Sequence, residues 1–487
     1  METMHPSHHP NPRRRLYAAA TLIALTAFAG AASRHTSAAP ASATTPTPTP
    51  PVTFDAPSGG PVSFTGRLDR TAVRVGGDGL VRMELVLAAA PRDGDGVPRV
   101  PTDLVVVLDR SGSMDGEKIG HARAAVRELV SGLGDADRFA LVTYADAAEA
   151  AIPLEAAGAE ARRRWMAIVE AIAPGGGTDM SAGLDRTLDT VLAAPAPGRA
   201  SRVVLVSDGL ANQGDASPEG LLARARRAAR RELVLTTVGV GADFNEELLT
   251  ALADAGTGNY YYLERATDLG AVFAREFGAA RTTVASAVAV EIAPASGARV
   301  LDAAGYPLEQ VGDRTVFRPG TLFGGQERRV WVTLAVPADA PAERPLGSFA
   351  LTWRDGDVPH RLALAGTPTV ACVASDDAFF ARVDVPTWER AVVVEEYNRM
   401  REAVAQQVKA GDRDAARGAV AAFRDRAATM NAHLASPAVK EQLDGLAALE
   451  ADVDDAFRGA DQEAKQNMLG KSAQAAARDQ RRPGSKY

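Results

Sequence analysis

Cysteine and aromatic residues are scarce in this chain of 487 residues. Cys372 is the only cysteine, so no disulfide can form within one chain. Aromatic residues make up 5% of the sequence, which predicts hydrophobic cores built from Val, Leu and Ala. Stability must therefore come from the packing of aliphatic side chains, and a bound metal is the one further source that the sequence suggests.

Beyond the N-terminal segment the chain has no clustered histidines, and it has no excess of basic charge. His121, His360 and His433 lie in separate sequence contexts, which argues against a zinc site or a Ser-His-Asp triad. The formal net charge is −7, so nothing favours nucleic acid as a partner. With 46% hydrophobic and 24% charged residues, the chain has the composition of a globular protein that is long enough for several domains.

The N-terminal segment differs from the rest. Three arginines at residues 13–15 precede an apolar run over residues 16–32, where small residues would allow cleavage. We interpret residues 1–32 as a secretory signal peptide, with an uncleaved signal anchor as the alternative. Residues 33–58 contain TTPTPTPP and predict an extended Thr/Pro-rich linker. We therefore expect a secreted or extracytoplasmic protein, which would contact a membrane only through such an anchor.

An apolar strand with an acidic end provides the strongest functional motif. Residues 102–114 read TDLVVVLDRSGSM, in which a Val- and Leu-rich run ends at Asp109. Hydroxyl groups follow at alternate positions, on Ser111 and Ser113. Open α/β sheets bind their ligands at the carboxyl ends of strands, and a helix predicted to begin near Gly116 would close the loop behind these side chains.

Two later segments extend this set of oxygen atoms. The sequence GGGTD at residues 175–179 allows a close backbone turn that can direct the Thr178 hydroxyl inward. The sequence RVVLVSDG repeats the pattern of a buried strand ending in a carboxylate, that of Asp208. Such oxygen ligands suit a hard divalent cation, with Mg²⁺ favoured and Mn²⁺ or Ca²⁺ also compatible. The predicted metal ligands are Asp109, Ser111, Ser113, Thr178 and Asp208.

Each of these residues also has an ordinary structural explanation. Ser113 or Asp115 could cap the helix that follows, and Thr178 could cap the next one. Asp208 could be a turn residue. The order of the motif residues, and their position after two apolar strands, favour the metal site over these separate roles.

The pattern DxSxS, then Thr, then Asp resembles the metal-ion-dependent adhesion site of the von Willebrand factor A domain family. Every position of the motif matches, and the resemblance covers about residues 100–280. It implies a Rossmann-like, doubly wound and mainly parallel sheet with helices on both faces. It also implies a metal that bridges the domain to a carboxylate of a protein ligand, and it brings no catalytic residue.

The sequence between the motifs supports this fold. Apolar residues recur at helical spacing from Ile119 to Leu133, and a later helix begins with Ser217 as N-cap and Pro218 in its first turn. Strands are predicted at residues 138–143, 202–207, 234–240 and 259–263. Alternation of strands and helices predicts a mainly parallel sheet.

Strand patterns flank this central region. Apolar residues alternate before it and again in three segments after it, at residues 81–87, 288–292, 330–334 and 349–353. The strand pattern before the central region is too short to enclose a core by itself. We therefore predict one β-sandwich, formed by residues 59–98 and 281–375, with a von Willebrand factor A domain at residues 99–280 inserted between these two parts. Two independent β units are the alternative. The arrangement is similar to integrin β chains and resembles bacterial secreted relatives of inter-α-inhibitor heavy chains.

Helical periodicity returns after Pro386. Three apolar stripes, at residues 393–404, 420–434 and 439–457, predict a small antiparallel bundle over residues 384–475. The basic tail at residues 476–487 is expected to be disordered. The predicted fold class is thus a multidomain α/β protein with a C-terminal helical bundle.

These features favour an exported protein that binds a protein partner through a divalent cation, in adhesion or assembly, with a partner Asp or Glu completing the coordination. One alternative is a scaffold of the cell envelope whose metal only stabilises the domain. Another is a Mg²⁺-dependent, phosphatase-like enzyme with Asp109 as nucleophile. That chemistry needs a second acid two residues later, where this chain has Ser111, so we predict that the protein is not an enzyme.

Overall fold

The computed structural model describes residues 52–481, apart from residues 58–59, 92–100, 197–198, 242–243, 264, 357 and 460. The predicted signal peptide and most of the predicted linker lie outside the described residues, as do residues 482–487. The described part begins with four strands, β1 (Thr53–Asp55), β2 (Val62–Leu68), β3 (Ala72–Arg74) and β4 (Leu80–Ala89).

A central α/β domain follows. Its strands are β5 (Thr102–Asp109), β6 (Arg138–Tyr144), β7 (Ala148–Ala156), β8 (Ala200–Ser207), β9 (Leu233–Val240) and β10 (Thr257–Leu263). Its helices are α1 (Glu117–Gly132), α2 (Ala159–Glu170), α3 (Met180–Leu192), α4 (Pro218–Ala229), α5 (Glu246–Ala255) and α6 (Leu269–Arg281). Helix α4 begins as predicted, because the Ser217 side chain accepts a hydrogen bond from the Gly220 backbone N–H.

The central strands form one sheet in the order β10-β9-β8-β5-β6-β7. Neighbouring strands are parallel except β6 and β7, which are antiparallel. Strand β7 was not predicted, because its sequence AEAAIPLEA combines weak strand formers with Pro153. Strand β5 lies between β6 and β8. The chain adds β6 and β7 on one side of β5 and then β8, β9 and β10 on the other side, so the strand order reverses at β5. The carboxyl ends of β5 and β8 therefore flank a topological switch point, where open α/β sheets bind ligands.

Helices cover both faces of this sheet. Leu104, Val106 and Leu108 pack in one apolar cluster with residues of α1, α2 and α6. Val105 and Val107 point to the opposite side and pack with residues of α3, α4 and α5. All of β5 is consequently buried. This two-sided cover confirms the predicted doubly wound fold.

Among the described residues, ten strands follow the central domain. They are β11 (Thr283–Pro294), β12 (Arg299–Ala303), β13 (Glu309–Val311), β14 (Arg314–Phe317), β15 (Leu322–Phe323), β16 (Glu327–Ala335), β17 (Ala342–Pro345), β18 (Gly347–Asp355), β19 (Val358–Ala363) and β20 (Thr369–Val373). One sheet has the order β1-β2-β4-β16-β12, and a second has the order β13-β14-β11-β18-β19, with β15 also pairing with β11. A small third sheet has the order β17-β20-β3.

The first two sheets form the predicted sandwich around an inserted domain. Strand β4, which precedes the central domain, pairs along its whole length with β16, which follows it. Phe64 and Met83 of the first sheet share one apolar core with Val290 and Phe349 of the second. Strands from both flanks thus enclose a single core, which excludes two independent β units.

The C-terminal part is helical. It contains α7 (Asp376–Phe380), α8 (Val385–Arg390), a π-helical segment (Ala391–Glu396), α9 (Tyr397–Lys409), α10 (Arg413–Leu434), α11 (Pro437–Asp444), α12 (Leu446–Ala456) and α13 (Gln462–Arg481). The third predicted stripe is divided into two helices at Gly445. Within the described range, no helix is both long and apolar enough to cross a membrane.

Helix α13 corrects the prediction of a disordered tail from residue 476. The helix continues to Arg481, whose side chain is only 2% exposed and forms ion pairs with Asp302, Glu395 and Glu402. These carboxylates come from β12, the π-helical segment and α9. Basic composition alone favoured disorder, but three acidic groups distant in sequence neutralise this arginine and hold the helix in place.

Candidate metal centre

Asp109 occupies the end of the central strand β5 and is fully buried. Its Oδ1 accepts a hydrogen bond from the Ser111 backbone N–H at 2.8 Å. Its Oδ2 accepts one from the Ser207 hydroxyl, which lies on β8, at 3.0 Å. Burial raises the pKa of the Asp109 carboxyl, and the nearby charge of Asp208 raises it further. The effect of burial thus outweighs that of these hydrogen bonds, so the folded protein disfavours the ionised form of Asp109 relative to water.

Three more of the predicted ligands converge beside it. The Ser111 and Ser113 hydroxyl oxygens lie 3.1 Å apart. The Ser113 hydroxyl donates to Asp208 Oδ1 at 2.7 Å, across the space between β5 and β8. Neighbouring ligand oxygens of an octahedral Mg²⁺ ion are about 3 Å apart. The spacing of these oxygens matches that requirement.

The loop that carries Thr178 is bound to the loop that carries the two serines. The Gly112 backbone N–H donates to the Gly176 carbonyl at 3.0 Å, and the Gly175 N–H donates to the Arg110 carbonyl at 2.8 Å. Thr178 is buried, yet its hydroxyl has no hydrogen-bond partner in the part of the chain that the structure describes. This oxygen is therefore available to a ligand.

Backbone contacts fix the direction of Thr178. Its N–H donates to Asn212 Oδ1 at 2.9 Å, and the Asn212 N–H donates to the Thr178 carbonyl at 3.1 Å. Gly176 has φ +85°, and a Cβ there would lie 2.4 Å from Asp146 Oδ2. The positive φ and this close approach favour glycine at residue 176, as the GGG sequence indicated. Asp146 also accepts the Gly177 N–H, and this bond lowers the pKa of the Asp146 carboxyl.

The helix-capping roles considered for Ser113, Asp115 and Thr178 are not the ones that the structure gives them. The N-cap of α1 is Gly116 and makes no side-chain cap, so neither Ser113 nor Asp115 caps that helix. The N-cap of α3 is Asp179, whose side chain accepts the Ala182 N–H, so Thr178 does not cap it. Two serine hydroxyls and the Thr178 hydroxyl thus remain without a helix-capping function.

Two neighbours of the site were missed by sequence reasoning. Ser207 orients Asp109, as described above, and precedes Asp208 directly in the strand pattern. Lys118, in the first turn of α1, places its Nζ 2.6 Å from Asp208 Oδ2 while its side chain stays 33% exposed. A lysine in the first turn of the helix after the DxSxS loop was the available signal, although its contact with Asp208 depends on the packing of α1. The Asp208 carboxylate thus attracts a positive charge, which the Lys118 ammonium supplies here.

The donor set fits a hard divalent cation. Among the described residues, no group of three or more His, Cys, Asp or Glu side chains is arranged to hold a metal ion. The candidate site instead combines two buried carboxylates with three hydroxyls, and all of these donors are oxygen atoms. Such donors suit Mg²⁺, Mn²⁺ or Ca²⁺ and do not suit metals that prefer sulfur or imidazole.

Comparison with known proteins identifies the central domain. Residues 103–275 match the family model described as von Willebrand factor type A domain. The protein sll0103 of Synechocystis sp. is 25% identical over 346 residues, which cover 68% of this chain and 80% of that protein. The protein YfbK of Escherichia coli (strain K12) is 27% identical over 212 residues, or 43% of this chain and 36% of that protein.

Inter-alpha-trypsin inhibitor heavy chain H4 of Homo sapiens is 26% identical over 168 residues, or 33% of this chain and 18% of that protein. The chain therefore spans only a part of YfbK and of the heavy chain. A solved structure, a von Willebrand factor type A protein from Catenulispora acidiphila, aligns with a TM-score of 0.62 at 16% identity, over 87% of this chain and 97% of that chain. This likeness concerns the fold, and it extends well beyond the central domain.

Domains of this family generally mediate protein interactions or adhesion, and they commonly bind a divalent cation. Proteins that contain them are mostly not enzymes. The predicted resemblance to the family, including the inter-alpha-inhibitor heavy chains, is thereby confirmed. The assignment of individual metal ligands stays a prediction.

Proposed function

We propose that this chain, a von Willebrand factor type A domain protein, is exported and captures a protein partner through a divalent cation. The cation would be held by Asp109, Ser111, Ser113, Thr178 and Asp208. The observation that carries the proposal is the convergence of three side chains at the switch point of the sheet. The Ser111 and Ser113 hydroxyl oxygens lie 3.1 Å apart, and the Ser113 hydroxyl lies 2.7 Å from Asp208 Oδ1.

The charges at the site favour an acidic ligand. Asp109 and Asp208 together carry two negative charges, which one divalent cation neutralises, and Lys118 adds one positive charge beside Asp208. When bound, the cation supplies an electrophilic centre for an oxygen ligand. Because the three hydroxyls add no negative charge, the loaded site has a surplus of positive charge. We infer that the partner contributes the carboxylate of an Asp or Glu.

Mg²⁺ is the cation that we propose, with Mn²⁺ or Ca²⁺ as substitutes. Two carboxylates among five protein oxygens favour Mg²⁺, which is usually bound through one or two carboxylates and keeps several waters, whereas Ca²⁺ takes about six to eight oxygen ligands. Export is proposed from the basic and apolar N-terminal sequence at residues 1–32 and the Thr/Pro-rich segment that follows. The protein would then meet its partner outside the cytoplasm.

Capture of a partner from an envelope extract tests this function. With the tagged full chain as bait, we expect a partner to be retained in Mg²⁺ and lost in EDTA. Asp109→Ala should lose it even in Mg²⁺. The matched control is Asp135→Ala, which removes an aspartate that is 88% exposed in the loop before β6. Equal recovery of the same partner with EDTA and with Asp109→Ala would disprove cation-dependent capture.

The same samples separate this proposal from a purely stabilising metal. A scaffold would gain thermal stability with Mg²⁺, because a ligand that binds only the folded state stabilises it. It would, however, retain no partner in a cation-dependent manner. Melting curves in Mg²⁺ and EDTA, read beside the capture experiment, therefore distinguish the two functions.

Replacing Lys118 by methionine is expected to tighten Mg²⁺ binding about ten-fold, which corresponds to about 1.4 kcal/mol. The Lys118 ammonium lies on Asp208 Oδ2, so it competes with a cation for this oxygen and repels it. Isothermal titration with Mg²⁺ measures the effect. Lys440→Met, which removes an exposed lysine paired with Asp444 on α11, should leave the affinity unchanged. Weaker binding by Lys118→Met would instead mean that Lys118 is needed to order the site.

A further inference from the structure

A second candidate site lies in the β-sandwich, outside the central domain that holds the metal-binding motif. A cavity of about 630 Å³ separates the outer face of the first sheet from helix α8 and the π-helical segment. Its wall includes Arg67, Glu84, Arg329, Trp331 and Arg390. Small-molecule sites typically have volumes of about 300–1,000 Å³. The cavity is therefore large enough for a small metabolite.

Strand register brings these side chains to one face. Arg67 of β2 pairs with Glu84 of β4, and Glu84 pairs with Trp331 of β16, so the three form a row across neighbouring strands. Alternate residues of the same strands, such as Phe64 and Met83, point into the sandwich core. The row is consequently a fixed feature of a rigid sheet.

Positive charge predominates in the cavity. Three arginines line it, and Glu84 is the single carboxylate among its lining residues in the part of the chain that the structure describes. Glu84 is 3% exposed and accepts hydrogen bonds from Arg329 Nη1 at 3.0 Å and Arg390 Nη2 at 2.8 Å. Arg329 also pairs with Glu327 at its outer side. The lining of the cavity thus carries three positive charges, on Arg67, Arg329 and Arg390, and one negative charge, on Glu84.

Arg67 is the arginine of this cavity that lacks a partner in the described part of the chain. The residue is half-buried, and its guanidinium has neither a hydrogen-bond nor an ion-pair partner there. The other two arginines are bonded to Glu84. Because polar groups in a partly enclosed site usually have a partner, the donors of Arg67 point to a ligand that would supply acceptor oxygens.

Neighbouring charges do not supply those oxygens. The nearby carboxylate of Glu396 is already paired with Arg82, at 3.0 Å.

We propose that the cavity binds a small oxyanion, that is, a small molecule bearing a phosphate or carboxylate group. The planar guanidinium of Arg67 donates two N–H groups to the anion, and Trp331 forms an apolar wall of the same cavity. The site uses none of the predicted metal ligands and is independent of the proposed partner capture.

Isothermal titration of the full chain with inorganic phosphate and, separately, with citrate tests this site. The buffer is freed of divalent cations, so that citrate cannot act by withdrawing a metal. We expect saturable binding of at least one probe, and the stronger of the two identifies the phosphate or carboxylate source. Arg67→Met should weaken it at least about ten-fold, because a charged hydrogen-bonding group is lost. Arg67→Lys, which retains the charge and loses the planar donor pair, should weaken it less.

The matched control is Arg299→Met, which removes an exposed arginine from β12 of the same sheet. It should bind the probe as the unmodified chain does. Glu84→Gln should tighten binding, because it removes the competing carboxylate. Failure of both probes to bind the unmodified chain would overturn the proposal, and so would equal affinities in Arg67→Met and Arg299→Met.

Discussion

Replacing Asp109 by asparagine is expected to weaken Mg²⁺ binding more than about 100-fold, since even the loss of a residue that only orients a metal ligand costs about 10-fold to 100-fold. The substitution removes one of the two carboxylates and retains the shape of the side chain. Isothermal titration with Mg²⁺ measures the loss, with Asp135→Asn as the exposed control. Affinity within a few-fold of the unmodified chain would exclude Asp109 from the metal centre.

The same variant should remain folded. Burial raises the pKa of Asp109, so the ionised carboxylate destabilises the metal-free fold at neutral pH, and a neutral amide relieves that cost. In EDTA we therefore expect Asp109→Asn to melt at or above the temperature of the unmodified chain. Added Mg²⁺ should raise the melting temperature of the unmodified chain alone. A variant that is unfolded in EDTA would contradict this expectation and show that the metal-free fold depends on the Asp109 carboxylate.

Replacing Arg481 by methionine is expected to destabilise the C-terminal helical region by about 3–5 kcal/mol at alkaline pH, the cost of removing one partner from a buried ion pair. Arg481 Nε donates to Glu395 Oε2 at 2.9 Å, and both side chains are buried. Chemical denaturation followed by circular dichroism measures the change. The exposed pair of Lys440 and Asp444 provides the control, and Lys440→Met should cost less than about 1 kcal/mol.

The pH dependence of this loss has a definite sign. Burial raises the pKa of Glu395 from 4.5 to about 7, even though Arg481 lowers it. A carboxyl with a raised pKa stabilises the fold fully below its ordinary pKa, and that contribution is lost as pH rises through about 7. Without Arg481 the pKa of Glu395 rises further, because the ionised carboxylate loses its nearest positive charge. The variant should therefore lose more stability, relative to the unmodified chain, at about pH 8 than at about pH 5. Glu395→Gln in the same variant should restore much of the stability, and equal destabilisation at both pH values would contradict the account.

The sequence was most informative where one short segment contained both the fold and the chemistry. The positions of Asp109 and Asp208 at one edge of the sheet were predictable, because each residue follows an apolar run and parallel strands bring their carboxyl ends to the same edge. The hydroxyls of Ser111 and Ser113 follow in the same loop, so their proximity required no knowledge of distant contacts. The order of strands and helices was sufficient to predict the doubly wound domain.

Features that depend on distant contacts were not predictable. Lys118 reaches Asp208 only because α1 packs beside β8, and no local pattern reports that contact. Helix α13 ends at Arg481, which is held by carboxylates from three other elements, whereas its local sequence is basic and weakly apolar. The cavity near Glu84 combines a strand before the inserted domain with one after it. Each of these features arises from tertiary packing.

Crystals grown with Mn²⁺, with anomalous scattering recorded at the manganese edge, test the central claim most directly. Mn²⁺ has the same preference for oxygen ligands as Mg²⁺ and can be located without ambiguity. We expect one anomalous peak at the carboxyl ends of β5 and β8, within coordination distance of Ser111, Ser113 and Thr178 and beside the two aspartates. No peak at this position in Mn²⁺-saturated crystals, or a peak that persists there in Asp109→Asn, would contradict the assignment of the metal centre.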